Sequence, residues 1–473
     1  MRLVIEYLQQ FRRFQRNARL FLISNILSGV TAGILLVLYN LYLISLGYHA
    51  DFVGAILFIG TIGAGLAIFP AGACVDRFSG KSILIYSSAL IGVAGAGQIL
   101  FRQPLPLLIS AFVVGVGLAF FLVITAPFLT ANSTPEERSH LFSMNISLGL
   151  ITLVLGKVLG GALPAWFRSL PRLMAPLPPW SSSLLASQPD ARSYQFALLF
   201  AGLIAAPSFI PLFMMSNVRP PRRTRHASSL PWSKKNTLIE MPVSRGAACP
   251  ALLGWLGWPC LGGLVWWVNA LLHSAFFYLV LVYVLTGLGA GLFIPYFNIY
   301  FVQHLNASPA LFGLIDGGAN AITALLTLTA PRLAKRIGKI NTITLTRLAS
   351  IPLLLTIGLT SILPLAALLY LFRQGAMDMS AGILQVFSME SVSEKRRGLA
   401  NSSYQAAFQV PWAIAVTLGG LIIVHFGYPP IFLLGAFFYL LTIITLWARF
   451  GRGNRSGLDE TTPEQSIQET ATL

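Results

Sequence analysis

The chain carries a copy of itself. Gly29-Val-Thr-Ala-Gly33-Ile-Leu-Leu-Val-Leu-Tyr-Asn40-Leu-Tyr42 aligns with Gly287-Leu-Gly-Ala-Gly291-Leu-Phe-Ile-Pro-Tyr-Phe-Asn298-Ile-Tyr300 at an offset of 258, keeping both glycines, the asparagine and the tyrosine. At offset 259, Asp76-Arg77-Phe78 falls on Lys335-Arg336-Ile337, Arg138 on Arg397, and Gly160-Gly161 on Gly419-Gly420. A repeat of this length restricts the fold to two equivalent units. In membrane proteins, parallel repeats of helical bundles build transporters whose substrate site lies where the halves meet.

Composition places the repeat in a membrane. Only 10% of the 473 residues are charged and 55% are hydrophobic, and apolar runs of about 20 residues, the length that crosses a bilayer, recur along most of the chain. Twelve spans are expected near 20–46, 52–73, 83–101, 104–129, 140–165, 194–217, 273–303, 309–330, 342–362, 364–388, 400–425 and 428–449. The expectation is an all-α integral membrane protein of two six-helix parallel repeats, 1–217 and 273–449. They are joined by 218–272 and followed by a polar, disordered cytosolic tail, 450–473.

The net charge of +17 does not point to nucleic acid, because 25 of the 32 Lys and Arg fall in one alternate set of flanks. The other set has Arg102, Arg168, Arg172 and Arg192, and the rest, Lys157, Arg347 and Arg373, lie inside spans. The positive-inside rule then puts both termini in the cytoplasm of a multi-pass inner-membrane protein. Anionic lipid headgroups are the expected partner of the basic flanks, with Arg12, Arg13, Arg16 and Arg19 entering the first span. No removable signal peptide is expected ahead of that span. None of Cys74, Cys249 and Cys260 lies in a predicted external loop, so no disulfide is expected.

The stretch 218–246 reads as a basic cytosolic linker, and 166–193, with Pro171, Pro176, Pro178, Pro179 and Pro189, as a long irregular external loop. Ala247–Leu272 is apolar and holds Trp255, Trp258, Trp266 and Trp267. A crossing there would turn Arg332, Lys335, Arg336, Lys339, Lys395, Arg396 and Arg397 outside, so it reads as interfacial or re-entrant.

Two loops carry a family pattern. Gly72-Ala-Cys-Val-Asp76-Arg77-Phe-Ser-Gly80-Lys81 ends the second span, and Pro331-Arg-Leu-Ala-Lys335-Arg336-Ile-Gly338-Lys339 ends the eighth. With Pro135-Glu136-Glu137-Arg138 and Glu394-Lys395-Arg396-Arg397-Gly398 after the fourth and tenth spans, the chain resembles the major facilitator superfamily over nearly its whole length. The resemblance implies that Gly72, Asp76, Arg77, Lys81, Glu136, Arg138, Arg336, Glu394 and Arg397 form a cytoplasmic latch between the halves. Locally, Gly72 allows close helix approach, Asp76 can accept bonds at a helix N-terminus, and Arg77 can reach an acidic loop. The pattern is broken at Ser79, where glycine is expected, and at Lys335, which replaces the acid. The helix-five pattern Gly-Pro-x-x-Gly-Gly of proton-linked antiporters reads here Gly156-Lys157-Val-Leu-Gly160-Gly161, without the proline.

Polar residues inside spans are the site candidates, because they are costly there and usually face a cavity or a partner. Asp316, Asn320, Thr323 and Thr327 share one helix face, as do Gln374, Asp378 and Gln385, and Ser402, Gln405 and Gln409. Interhelical hydrogen bonding is the competing role for the amides and hydroxyls. Arg373 and Asp316 enter from the outer end by about 14 and 10 Å, so they are expected to pair and leave Asp378 as proton acceptor. Lys157 either attracts an anionic substrate group or snorkels outward. Arg347 is expected to snorkel to the cytoplasm. Asn40/Tyr42 and Asn298/Tyr300 are expected to gate the outer end or to contact polar substrate groups, or else to cap and anchor at the interface.

The sequence thus predicts a monomeric secondary transporter for a small, somewhat amphiphilic molecule, coupled to H+ and favouring export. No cofactor, metal cluster or enzyme activity is expected, since no nucleotide-binding Gly-x-x-x-x-Gly-Lys-Ser/Thr loop or metal-ligand cluster is present. A lipid or lysolipid translocase of the same fold and a non-transporting membrane sensor are the alternatives.

Overall fold

The computed structural model describes residues 11, 14–175, 185–216, 274–392 and 397–451. Among them are twelve long helices: α1 (Arg16–Ser45), α2 (Ala50–Arg77), α3 (Gly80–Leu100), α4 (Pro104–Ala131), α5 (Pro135–Arg168), α6 (Pro189–Met214), α7 (Ala275–His304), α8 (Pro309–Ile337), α9 (Lys339–Leu359), α10 (Leu363–Glu390), α11 (Arg397–Phe426) and α12 (Pro429–Phe450). Away from its end turns and interior prolines, a helix bonds its backbone groups within the segment, which is what hydrocarbon requires. Eleven are long and apolar enough to cross a membrane. The twelfth, α10, is set apart by Arg373, Gln374 and Asp378.

Helix starts follow local chemistry. Pro104, Pro135, Pro189, Pro309 and Pro429 stand in first turns, where a missing N–H costs nothing. Ser79, Ser274 and Ser308 cap α3, α7 and α8 by accepting from the N–H of Ser82, Phe277 and Leu311. Capping explains the serine where the loop pattern expects glycine. Gly338, at φ 86°, makes the one-residue turn between α8 and α9.

Each half packs in the same way: α1 against α5 and α6, and α4 against α2 and α3; α7 against α11 and α12, and α10 against α8 and α9. The repeat extends to single bonds. Tyr42 donates its hydroxyl to Ile99 O at 2.7 Å, and Tyr300, 258 residues on, donates to Ile357 O at 2.6 Å. Between halves, α5 packs on α8 and α2 on α11.

The expected irregular loop is partly helical: α5 continues to Arg168, Pro171–Met174 forms one turn, and α6 begins at Pro189. Arg192 is buried and ties this region together by donating to Ala175 O at 2.7 Å and Ala186 O at 2.9 Å. The expected linker, the Trp-rich segment 247–272 and the tail after residue 451 lie outside the described residues.

Candidate functional site

The halves meet at the end where α1 finishes and α7 finishes. Asn40 Nδ2 donates to Pro295 O at 2.8 Å and Asn298 Nδ2 to Val37 O at 3.2 Å, a reciprocal pair of bonds between positions related by the repeat. Two glycine crossings flank it. A methyl group at Gly161 would stand 2.6 Å from Pro309 O, and one at Gly420 would stand 2.4 Å from Ala50 O. Only residues without a Cβ let the backbones approach this closely.

Toward the other end the same helix faces come apart. On α11, Gly420, Val416 and Ala413 are buried, whereas Gln409, Ala406 and Ser402, continuing that face, are exposed. On α8 the succession runs from buried Gly313 and Gly317, through half-buried Asn320, to exposed Ala324 and Thr327. Gly65 and Ile68 on α2, and Leu150 and Ser147 on α5, are exposed likewise. The four interface helices therefore enclose a cavity sealed at one end and open at the end where α1 begins and α12 finishes.

At its sealed apex Lys157 Nζ of α5 meets Asp316 Oδ2 of α8 at 2.8 Å, with the side chains only 9% and 13% exposed. Tyr370 donates to Asp316 Oδ1 at 3.0 Å, and Asn320 Nδ2 donates to Asp316 O at 2.6 Å. The expected Asp316–Arg373 pair is thus not formed. Equal depth does not fix rotation, and Arg373 turns away from α8 toward α7 and α12 of the same half. Its guanidinium lies 4.8 Å from the Phe293 ring centre and 5.8 Å from those of Phe297 and Tyr439. Nη1 donates to Gln374 Oε1 at 3.0 Å, and Gln374 Nε2 donates to Asp378 Oδ2 at 2.6 Å. Asp378 lies within electrostatic reach of Arg373 first, and of Lys157 and Arg347 after it, although among the described residues no carboxylate oxygen pairs directly with the Arg373 guanidinium.

Lys157 does not snorkel, because its carboxylate partner comes from the other half. Nor does Arg347, which is 3% exposed and donates to Thr286 Oγ1 at 3.1 Å and Ser380 Oγ at 3.3 Å. The helix begins at Lys339, so Arg347 lies a turn deeper than expected. Gln374 and Asp378 are half-buried near the apex, while Gln385, Gln405 and Gln409 are exposed. Tyr300 lies within the second half, its ring 5.0 Å from that of Phe432, rather than between the halves. Asn25 donates to Asn145 at 2.8 Å and so joins helices within the first half.

A family model described as Major Facilitator Superfamily matches residues 21–283 and again 279–472. The chain belongs to the major facilitator superfamily. Solved transporters share the fold. A bacterial homolog of the human lysosomal transporter Spinster, inward-facing and occupied, superposes with a TM-score of 0.65 at 12% identity, over 91% of this chain and 96% of that one. A bacterial homologue of the iron transporter ferroportin in an inward-facing state gives 0.64 at 15% identity, over 92% and 98%. A D-xylose-proton symporter gives 0.60 at 16% identity, over 91% and 97%. A comparison with curated proteins finds no significant sequence match.

In this superfamily member the loops expected to latch the halves lie at the open end. Lys81 donates to Phe213 O at 2.8 Å and Met215 O at 2.7 Å, binding α3 to the end of α6. Arg138 reaches Thr130 O at 3.4 Å and Ser133 Oγ at 3.5 Å in its own loop. Arg77 and Arg336 are exposed, and a methyl group added at Gly72 would meet nothing within 4 Å. Lys339 pairs with Glu390 Oε1 at 2.7 Å within the second half. Glu394 and the side chains of Asp76, Glu136 and Arg397 lie outside the described residues.

Tyr370, Tyr439 and Phe293 escaped the sequence reading because aromatic residues in a span read as packing. Only the position of Tyr370 three residues before Arg373, one turn along the same face, hinted at a role.

Proposed function

We propose that this superfamily member is a proton-linked secondary transporter that moves a small amphiphilic molecule by alternating access. The observation that carries the reading is the buried Lys157–Asp316 pair joining the halves at the apex of a cavity open at one end. Asp378, half-buried beside it and bonded to the Gln374 amide, is the proton carrier. The open end carries the basic flanks and faces the cytoplasm, so a substrate loads from inside, which favours export. In the alternate state the halves close at this end, where Asp76, Arg77, Glu136, Arg138, Glu394 and Arg397 latch them. Polar side chains of α8, α10 and α11 line one wall, and Leu150 and its neighbours give the other an apolar surface, which suits a monomeric carrier of amphiphiles.

The test is substrate-screened flux in proteoliposomes under an imposed pH gradient. Asp378→Asn should abolish gradient-driven flux while leaving the purified protein folded. Unchanged coupling in that variant overturns the assignment of Asp378. Movement of labelled lipid alone, insensitive to the gradient, replaces the reading with a lipid translocase.

A further inference from the structure

Five charged side chains lie well inside the spanning helices, Lys157, Arg347 and Arg373 against Asp316 and Asp378. However they are paired, one cation is in surplus. Lys157 holds Asp316, and Arg347 is met by two hydroxyls. Arg373 is 0% exposed and makes no ion pair among the described residues, and its Nε has no hydrogen-bond partner. Three aromatic faces surround its guanidinium.

Cation–π contact offsets only part of the cost of drying an ion. The site is therefore short of a negative charge. The acceptor on Arg373 Nη1 is Gln374 Oε1 at 3.0 Å, a neutral amide oxygen standing where a carboxylate oxygen would give a stronger, charge-assisted bond. Gln374 is half-buried on the α10 face that continues through Asp378 to exposed Gln385, so it stands between Arg373 and the cavity.

We propose that the substrate is an organic anion whose carboxylate displaces the Gln374 amide oxygen from Arg373, with an apolar body lying toward the first half. Gln374 keeps its bond to Asp378 when this happens, so the existing carboxylate stays engaged. Leu150, exposed on the α5 face that carries Lys157 and Gly161, provides apolar surface for the body. The proposal rests on the transport reading and supplies its substrate class.

Benzoate, benzamide and benzylammonium share one ring and differ in charge. Each is titrated into the purified full-length protein at pH 7 and constant ionic strength, following thermal unfolding by tryptophan fluorescence. Benzoate should raise the midpoint saturably and the other two should not. Arg373→Gln should weaken the apparent affinity for benzoate by at least about tenfold, and Arg373→Lys should retain part of it. If Arg373→Gln does not fold, the ranking of the three probes on the wild-type protein decides. Equal or greater stabilisation by benzamide or benzylammonium, none by any probe, or an unchanged benzoate response in Arg373→Gln overturns the proposal. The titration needs no gradient, so it stands or falls separately from the Asp378→Asn flux test.

Discussion

The Lys157–Asp316 pair is the one ion pair across the interface among the described residues, and its removal should open the sealed end. At 2.8 Å and an effective dielectric near 20, two unit charges attract by about 6 kcal/mol, an upper bound before the lost hydration of both is counted. Removing one partner of such a pair costs about 3–5 kcal/mol, because the other charge is left buried. That loss falls only on the conformation in which α5 and α8 touch; once they separate, water reaches Lys157. Asp316→Asn should therefore shift the equilibrium toward opening by about 3 kcal/mol, on the order of 100-fold. Gln103 and Ser361 are exposed, occupy repeat-related positions in opposite halves and flank this end. Spin labels there should show a longer distance population in Asp316→Asn and in Lys157→Gln. The exchanged pair, Lys157→Asp with Asp316→Lys, should restore the short distance. Unchanged distances in both single variants would refute the reasoning.

Three further outcomes follow from packing. Gly313→Ala would place a methyl 2.5 Å from Lys157 O and should abolish transport by forcing α5 and α8 apart, whereas Gly149→Ala, with nothing within 4 Å, should leave flux near wild type. Asn40→Ala removes the bond to Pro295 O and Asn298→Ala the bond to Val37 O, and either also removes the Asn40–Asn298 contact at 3.4 Å, so each should weaken the seal by about 1 kcal/mol or more, read as shifts in the same direction in the same label distances. Arg347→Ala should lower the thermal midpoint clearly by leaving Thr286 and Ser380 without their donor and a void among α7, α9 and α10, while a surface change such as Arg336→Ala should not.

The spans were legible because lipid imposes both their length and their helical backbone, and the repeat placed equivalent residues correctly. Tyr42 and Tyr300 make matching bonds, as the shared sequence implied. The polar contacts were legible only as candidates. Counting residues from a helix end gives depth, but not the direction in which a side chain leaves the helix. Arg373 and Asp316 have similar depth, yet one points into aromatic packing and the other across the interface. For Lys157 the sequence offered an anionic substrate group or the outer surface, and the partner it has, Asp316, comes from the other half. The error over Arg347 was one of boundary: a start near residue 342 made it shallow, whereas the capped turn at Gly338 starts the helix at Lys339.

The repeat also shows where the two halves ceased to be equivalent. Gly161 on Pro309 and Gly420 on Ala50 are one crossing used twice, at an offset of 259. By the same offset Lys157 corresponds to Val416 and Asp316 to Leu57. The α2–α11 crossing therefore has no titratable group at these positions, and is held instead by apolar contact and the bond from Tyr296 to Val416 O at 2.6 Å. Burial of apolar area responds weakly to a single proton or a single anion, whereas a buried ion pair responds by several kcal/mol. Of two geometrically matched seals, only α5–α8 is equipped to sense charge in the cavity. Asp378 and Arg373 lie in the half that contributes Asp316, so the charged groups proposed to meet a substrate and the carboxylate of the cross-interface pair belong to the same half.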